Sequence, residues 1–193
     1  MIIPLRSLTA AARGWLRGLP AGQGFGRASV PHVRSARAGM LDVDLFMHMN
    51  NASYLTHCEL SRWEMFSALG LVRWSVRERA GFNVAAATMR YRRQIRAFDA
   101  FEVHTRVVAI DPQNTYLTHD FCPVGGGPLL AQGLCRAVIK QGAATIDPRG
   151  VLAANGVGHE TLDLLAAPDV VGPEFEALAQ LDLRLKAAAA AST

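Results

Sequence analysis

The spacing of apolar residues shifts along the chain from helical to alternating and back to helical, and the shifts mark the elements. At about 100° per residue, Leu5, Leu8, Ala12, Trp15, Leu16 and Leu19 fall on one side of a wheel, with Arg6, Arg13 and Arg17 in a narrow stripe beside them. That pattern predicts an amphipathic helix. Gly22 to Gly26 reads as a flexible link, so the folded domain is expected to begin near Pro31. His32 to Met40 suits a first strand. From Ala52 to about Leu69 the period is helical again: Tyr54, Leu55, Cys58, Met65, Phe66 and Leu69 share a face, and Leu60 and Trp63 lie off it. Apolar groups all round predict a mostly buried helix, which Gly70 ends as a C-terminal cap. Glu59 and Arg62, at i and i+3 within this face, are expected to form a structural ion pair.

After Gly81 the period drops to two. Alternation from Val84 to Ile95 places Arg90, Arg92, Gln94 and Arg96 on one side of a strand, with Met89, Tyr91, Arg93 and Ile95 on the other. Phe101 to Ile110 and Thr115 to Phe121 form a predicted hairpin across the turn formers Asp111, Pro112, Gln113 and Asn114. Leu129 to Lys140 reads as the last strong strand. The run Gly125, Gly126, Gly127 before it is no phosphate loop, because it joins strand to strand and lacks the following Lys and Ser/Thr. Helical spacing returns with Leu162, Leu164 and Leu165 and again with Phe175, Leu178, Leu181, Leu183 and Leu185, before an alanine-rich end that reads as a frayed helix. The division is therefore an N-terminal segment, residues 1–30, an α+β domain, residues 31–142, and a helical extension, residues 143–193.

Composition fits one domain: 193 residues, half of them hydrophobic and 19% charged. The net charge of +4 is unevenly placed, since residues 1–41 hold six arginines and no acid while the rest balances 14 basic against 16 acidic side chains. A nucleic-acid partner would need a basic face on the domain itself, so none is expected. An acid-free, arginine-rich amphipathic helix has the composition of a mitochondrial transit peptide. It equally suits a helix in peripheral contact with an anionic membrane, or a surface helix of a cytoplasmic protein. Cys58, Cys122 and Cys135 contain no C-x-x-C pair and are odd in number, which suggests buried free thiols rather than disulfides or a zinc site.

The densest chemistry lies just before the buried helix, where Asp42, Asp44, His48, Asn50 and Asn51 fall within ten residues. Asn50 or Asn51 is explained as a helix cap. Asp44 and His48 lie too far upstream to cap, among Val43, Leu45, Phe46, Met47 and Met49. A carboxylate in that company is expected to feel desolvation, which readies it as a base or nucleophile. On spacing alone, catalysis and a buried structural hydrogen bond remain equally open.

The segment from Asp42 to Tyr54 resembles the D-x-D-x-x-x-H-x-N-N-x-x-Y signature of hotdog-fold thioesterases of the 4-hydroxybenzoyl-CoA and acyl-ACP branch. Together with the block from Arg90 to Val103 it is most similar to the thioesterase superfamily member six family. The resemblance covers roughly residues 33 to 140. It implies an α+β hotdog fold, a long central helix wrapped by a curved antiparallel sheet, with the N-terminal helix and C-terminal extension as additions. It further implies hydrolysis of a fatty acyl thioester, acyl-CoA or an acyl-carrier thioester, without a cofactor or metal. Asp44 is the implied catalytic carboxylate and His48 its companion; amides from Asn50 to Ser53 would polarise the carbonyl.

Substrate contacts are expected from Asn50, Asn51, Tyr54 and the arginines Arg90, Arg92 and Arg93, the last group for phosphates. Arg96 belongs to the same basic run. A homodimer or dimer of dimers joined at sheet edges is implied as well. Two positions depart from the plant acyl-ACP enzymes, which carry Asn and Glu where this chain has Phe46 and Gln94. Those departures keep open a non-catalytic acyl-binding or scaffold protein of the same fold. The C-terminal extension is expected to cap the domain, extend the dimer or cover an acyl tunnel, and the sequence leaves the three open.

Overall fold

A computed structural model describes residues 2–20, 23–167 and 169–190. Its elements are α1 (Ile2–Arg17), β1 (His32–Arg37), α2 (Asn51–Ala68), α3 (Leu71–Glu78), β2 (Ala80–Tyr91), β3 (Ala100–Ile110), β4 (Thr115–Pro123), β5 (Ala131–Gln141), β6 (Ala144–Ile146), α4 (Pro148–Ala154), α5 (His159–Leu165) and α6 (Pro173–Ala190). The strands form one antiparallel sheet in the order β1-β3-β4-β5-β2, with β6 paired to the end of β5. The sheet curls around α2, which is the hotdog arrangement implied by the signature.

The buried helix lies one residue from its predicted limits. Asn50 caps it, its side-chain oxygen accepting from Ser53 N at 2.9 Å, and the chain leaves it through Gly70 at φ +80°, where a Cβ would be strained. Tyr54, Cys58, Leu60, Met65 and Phe66 are buried, whereas Leu55 faces outward. The N-terminal half of α2 packs on Phe101, Val103, Phe121 and Ala131, and the C-terminal half on Val107, Leu117, Cys135 and Ile139. Strand periodicity thus delivers alternate residues of β3, β4 and β5 to one helix. Cys58, Cys122 and Cys135 are free thiols, and burial pushes the Cys58 thiol up to about 12.

Several expectations need correction. The alternation predicted to Ile95 stops at Tyr91, because the amides of Arg92 and Arg93 both donate to the carbonyl of Leu130, each at 2.9 Å, and the chain turns out of the sheet. Glu59 and Arg62 do not pair: Glu59 accepts from the Trp63 indole at 3.2 Å, and Arg62 reaches His119 at 3.1 Å. The link read at Gly22–Gly26 is not loose over its described part. Val107 N donates to Gly24 O and Gly26 N to Val107 O, both at 2.7 Å, and Phe25 between them is buried in the core. Gly22 lies outside the described residues. The packed structure therefore takes in residues before Pro31, and α1 itself rests on α2 with Ala10 buried and Gly14 against the main chain of Glu64.

The C-terminal extension caps the domain. Val151, Leu152, Leu162 and Leu165 from α4 and α5 join the α2 core at one end. On the sheet face opposite α2, Phe175 and Leu178 of α6 pack on Val108, Ala109 and Tyr116. A bulge between Val107 and Ala109 in β3 allows this, since it puts both Val108 and Ala109 on the outer face while Val107 and Ile110 stay in the α2 core. Arg136 to Asp182 and Arg27 to Glu174, both at 2.6 Å, fasten the helix to the body.

Candidate active site

The loop from Asp42 to Asn50 is held by its own backbone. Asp44 N donates to His48 O at 2.8 Å and Met47 N to Asp44 O at 3.0 Å, closing a tight turn with Met47 at φ +62°, a sparsely populated region for a residue with a Cβ. Single bridges pair Val43 with Met49 and His48 with Arg96, while Met49 N donates to Ile95 O and Ala97 N to Met47 O. The turn aims one carboxylate. Asp44 Oδ1 accepts from Phe46 N at 2.9 Å and His48 N at 3.3 Å, and Oδ2 has no protein donor among the described residues.

Two expectations change here. The apolar neighbours do not enclose Asp44: Leu45 is 98% and Phe46 80% exposed, so the carboxylate faces solvent rather than a greasy pocket. His48 acts on Asp44 through its main-chain N–H. No hydrogen bond joins their side chains among the described residues.

Asp44 and His48 line an open cavity of about 600 Å³ together with Asn51, Tyr54, Arg92 and Arg93. Phe46 and Gln94, the two departed positions, lie on the same wall. Two expected substrate residues fall elsewhere. Asn50 spends its side chain on the helix cap, and Arg90 is exposed on β2 outside this cavity.

The anticipated row of amides also shrinks. Asn50 N donates to Asp42 O at 2.9 Å and Ser53 N is satisfied by Asn50, which leaves Asn51 and Ala52 as the N–H groups of this turn not spent among the described residues. Tyr54 is a structural wall: it is buried, and its ring meets Tyr91 and Phe121 edge-on at 5.0 and 5.1 Å.

Sequence reading missed the buried ionic cluster behind the loop. Asp42 is 4% exposed and accepts from Arg6 at 3.0 Å and Gly39 N at 2.9 Å, with His57 Nε2 at 3.5 Å. Burial alone would raise its pKa, but His57, the Gly39 amide and Arg6 together hold it well below the usual carboxylate range. His57 Nδ1 lies 3.2 Å from Arg34, so the neutral ring with its proton on Nε2 accepts from Arg34 and faces Asp42. Next along α2, Glu64 meets Arg17 at 3.2 Å and Arg34 at 3.5 Å; burial raises its pKa, against the pull of Arg34 and Arg17. The available signal was the acid-free arginine stretch, whose partners had to lie elsewhere in the chain.

His32 adds a pH dependence. Burial first, then Arg17 and Arg34, lower it from 6.5 to about 4, so the folded protein refuses a proton that the unfolded chain accepts in that window. Stability is complete above pH 6.5 and falls as pH drops toward 4, by on the order of 3 kcal/mol at about 1.4 kcal/mol per unit. His57 and His119, also lowered by burial, act with the same sign. Urea midpoints at about pH 7 and pH 4.5 should show a large drop for the native chain and a clearly smaller one for His32→Leu. An identical drop in both would refute the assignment.

A curled sheet around a helix, with an exposed aspartate in the loop that leads into that helix, defines a hotdog domain of the thioesterase type. Residues 38–162 match the Thioesterase-like superfamily, and the chain belongs to that family. It is 35% identical over 111 residues to Protein THEM6 of Danio rerio, covering 58% of this chain and 55% of that one. The chain thus spans about half the length of the curated relatives it matches, 55% and 45% for the THEM6 proteins of Danio rerio and Drosophila melanogaster. Among solved structures it is similar to the probable thioesterase YbaW of Escherichia coli, with TM-score 0.59, 19% identity, and coverage of 70% of this chain and 99% of that one. A putative oleoyl thioesterase of Lactobacillus plantarum superposes with TM-score 0.61 and 17% identity over 69% of this chain and 53% of that one.

Proposed function

We infer that this chain hydrolyses fatty acyl thioesters of coenzyme A. The observation that carries the reading is the Asp44 carboxylate, held by two amides on Oδ1 and open on Oδ2, in the same cavity as Asn51 at the start of α2. With the thioester carbonyl against the Asn51 and Ala52 amides, the helix N-terminus stabilises the developing oxyanion. Asp44 takes a proton from water as the water oxygen adds to the carbonyl carbon; the C–S bond then breaks and the sulfur leaves as a thiolate that picks up a proton. Direct attack by Asp44, giving a mixed anhydride that water cleaves, uses the same geometry. The His48 ring lines the same cavity, which supports a role for it in donating to the substrate.

Arg92 and Arg93 suit the phosphates of the coenzyme A handle. Thiol release from acyl-CoAs of increasing length, set against the same acyl group on a simple thiol, tests both parts. Rates should favour the CoA ester, and an Arg92→Ala/Arg93→Ala variant should raise KM about tenfold for it while leaving the simple thioester unchanged. No release from any length would sink the hydrolase reading. Phe46 and Gln94 favour a second reading, an acyl-binding protein without hydrolysis, because both sit on the wall that Asp44 shares.

The outer edge of β2, twelve residues long, has no strand partner among the described residues, and β2 ends at the cavity residue Tyr91. A homodimer joined there, sheet edge to sheet edge, is part of the proposal.

A further inference from the structure

Helix α1 docks with its amphipathic pattern reversed. Ala10 and Gly14 face α2, and Arg6 and Arg17 reach inward to Asp42 and Glu64. Its apolar stripe points the other way: Leu5 is 64%, Leu8 68%, Trp15 72% and Leu16 75% exposed. A helix that belongs only to a globular core buries that stripe. The exposed face continues onto α3, where Trp15 shares an open cavity of about 710 Å³ with Leu69, Val72 and Val76, the last 76% exposed. A contiguous exposed apolar face rimmed by charged residues is the kind of surface that serves as an interaction site.

Charge selects the occupant. Arg13 flanks the stripe and is exposed, Arg73 and Arg77 line the same cavity as Trp15, and α1 contains no acid. The single acid of α3, Glu78, is taken by Arg77 at 2.7 Å. Two copies of so basic a face would repel each other in a two-fold dimer. We propose that the outer faces of α1 and α3 form a docking surface for an anionic lipid bilayer, with α1 lying in the interface plane, leucines and Trp15 in the headgroup boundary and the arginines on lipid phosphates.

Arg6 bonds Asp42, two positions before Asp44, so docking also holds the catalytic loop close to the bilayer. That consequence for substrate delivery rests on the thioesterase reading. The docking itself does not.

The test is flotation of the full chain with phosphatidylglycerol–phosphatidylcholine vesicles and with phosphatidylcholine alone, beside solution mass and thiol release without lipid. Binding is expected to the anionic vesicles, weakened by salt, and reduced about a hundredfold in Leu8→Gln/Leu16→Gln. Because both leucines are exposed, the variant should fold normally; Leu181→Gln/Leu185→Gln, at exposed leucines of α6, should bind like the native chain. Absent binding, equal binding by the Leu8/Leu16 variant, or equal loss in the α6 control overturns the proposal. So does a fall in solution mass in the Leu8/Leu16 variant with lipid binding intact, which would make this face a contact between copies. Lipid binding without thiol release would instead reject the thioesterase reading alone.

Discussion

Asp44→Asn should abolish most thiol release from acyl-CoA, by about a hundredfold to ten-thousandfold, the range lost when a positioned acid or base is removed. The substitution is nearly isosteric. An amide oxygen can still accept from Phe46 N and His48 N, so the turn and the start of α2 should persist and the thermal midpoint should hold. What disappears is the basic second oxygen, the one without a donor among the described residues. His48→Ala should cost less, because the contact by which His48 orients Asp44 is main-chain and survives the substitution. Steady-state rates and melting curves of the three proteins decide the matter. Undiminished release by the Asn variant would remove Asp44 from the mechanism. Loss of folding in that variant would make the carboxylate structural.

The second large effect should come from Gly14→Leu. A Cβ at that position would stand 1.9 Å from the Glu64 carbonyl oxygen and 2.8 Å from its carbon, and both are backbone atoms of a buried helix that cannot give way. Helix α1 must lift, taking Arg6 from Asp42 and Arg17 from Glu64. Leaving a buried carboxylate without a partner costs about 3–5 kcal/mol, and the lower end applies because Arg34 and His57 stay behind. For a chain of this size the melting point should fall by about 10 °C. Trypsin should also cut at Arg6, Arg13 and Arg17 well before the body of the protein. An unchanged melting point with α1 still protected would mean that the close approach is not what holds the helix.

Much of the fold was legible because each period has a single physical meaning. Helical spacing over residues 52–69 and alternation in β3, β4 and β5 describe one curled layer on one helix, and capping chemistry at Asn50 and Gly70 set that helix's ends within a residue. Where two carbonyl-directed amides could compete with alternation, pattern failed: Arg92 and Arg93 share the Leu130 acceptor, so the strand ended at Tyr91 rather than Ile95. Glu59 and Arg62 had the right spacing for a pair, yet each found a better-placed partner, Trp63 and His119.

At the site, residue types along the chain determined that Asp44, His48, Asn51 and Tyr54 would lie near a helix start, because that neighbourhood is local. Only the tertiary structure decided that Arg92, Arg93, Phe46 and Gln94 close on the same cavity and that Arg90 does not. It also decided that Asp44 is open while Asp42 is buried in ion pairs, since burial is set by what the rest of the chain lays over a residue. The same holds for α1. Its sequence determined an amphipathic helix, but which face turned inward depended on two buried carboxylates far along the chain, whose desolvation in the fold is relieved by arginines and would not be relieved by leucines.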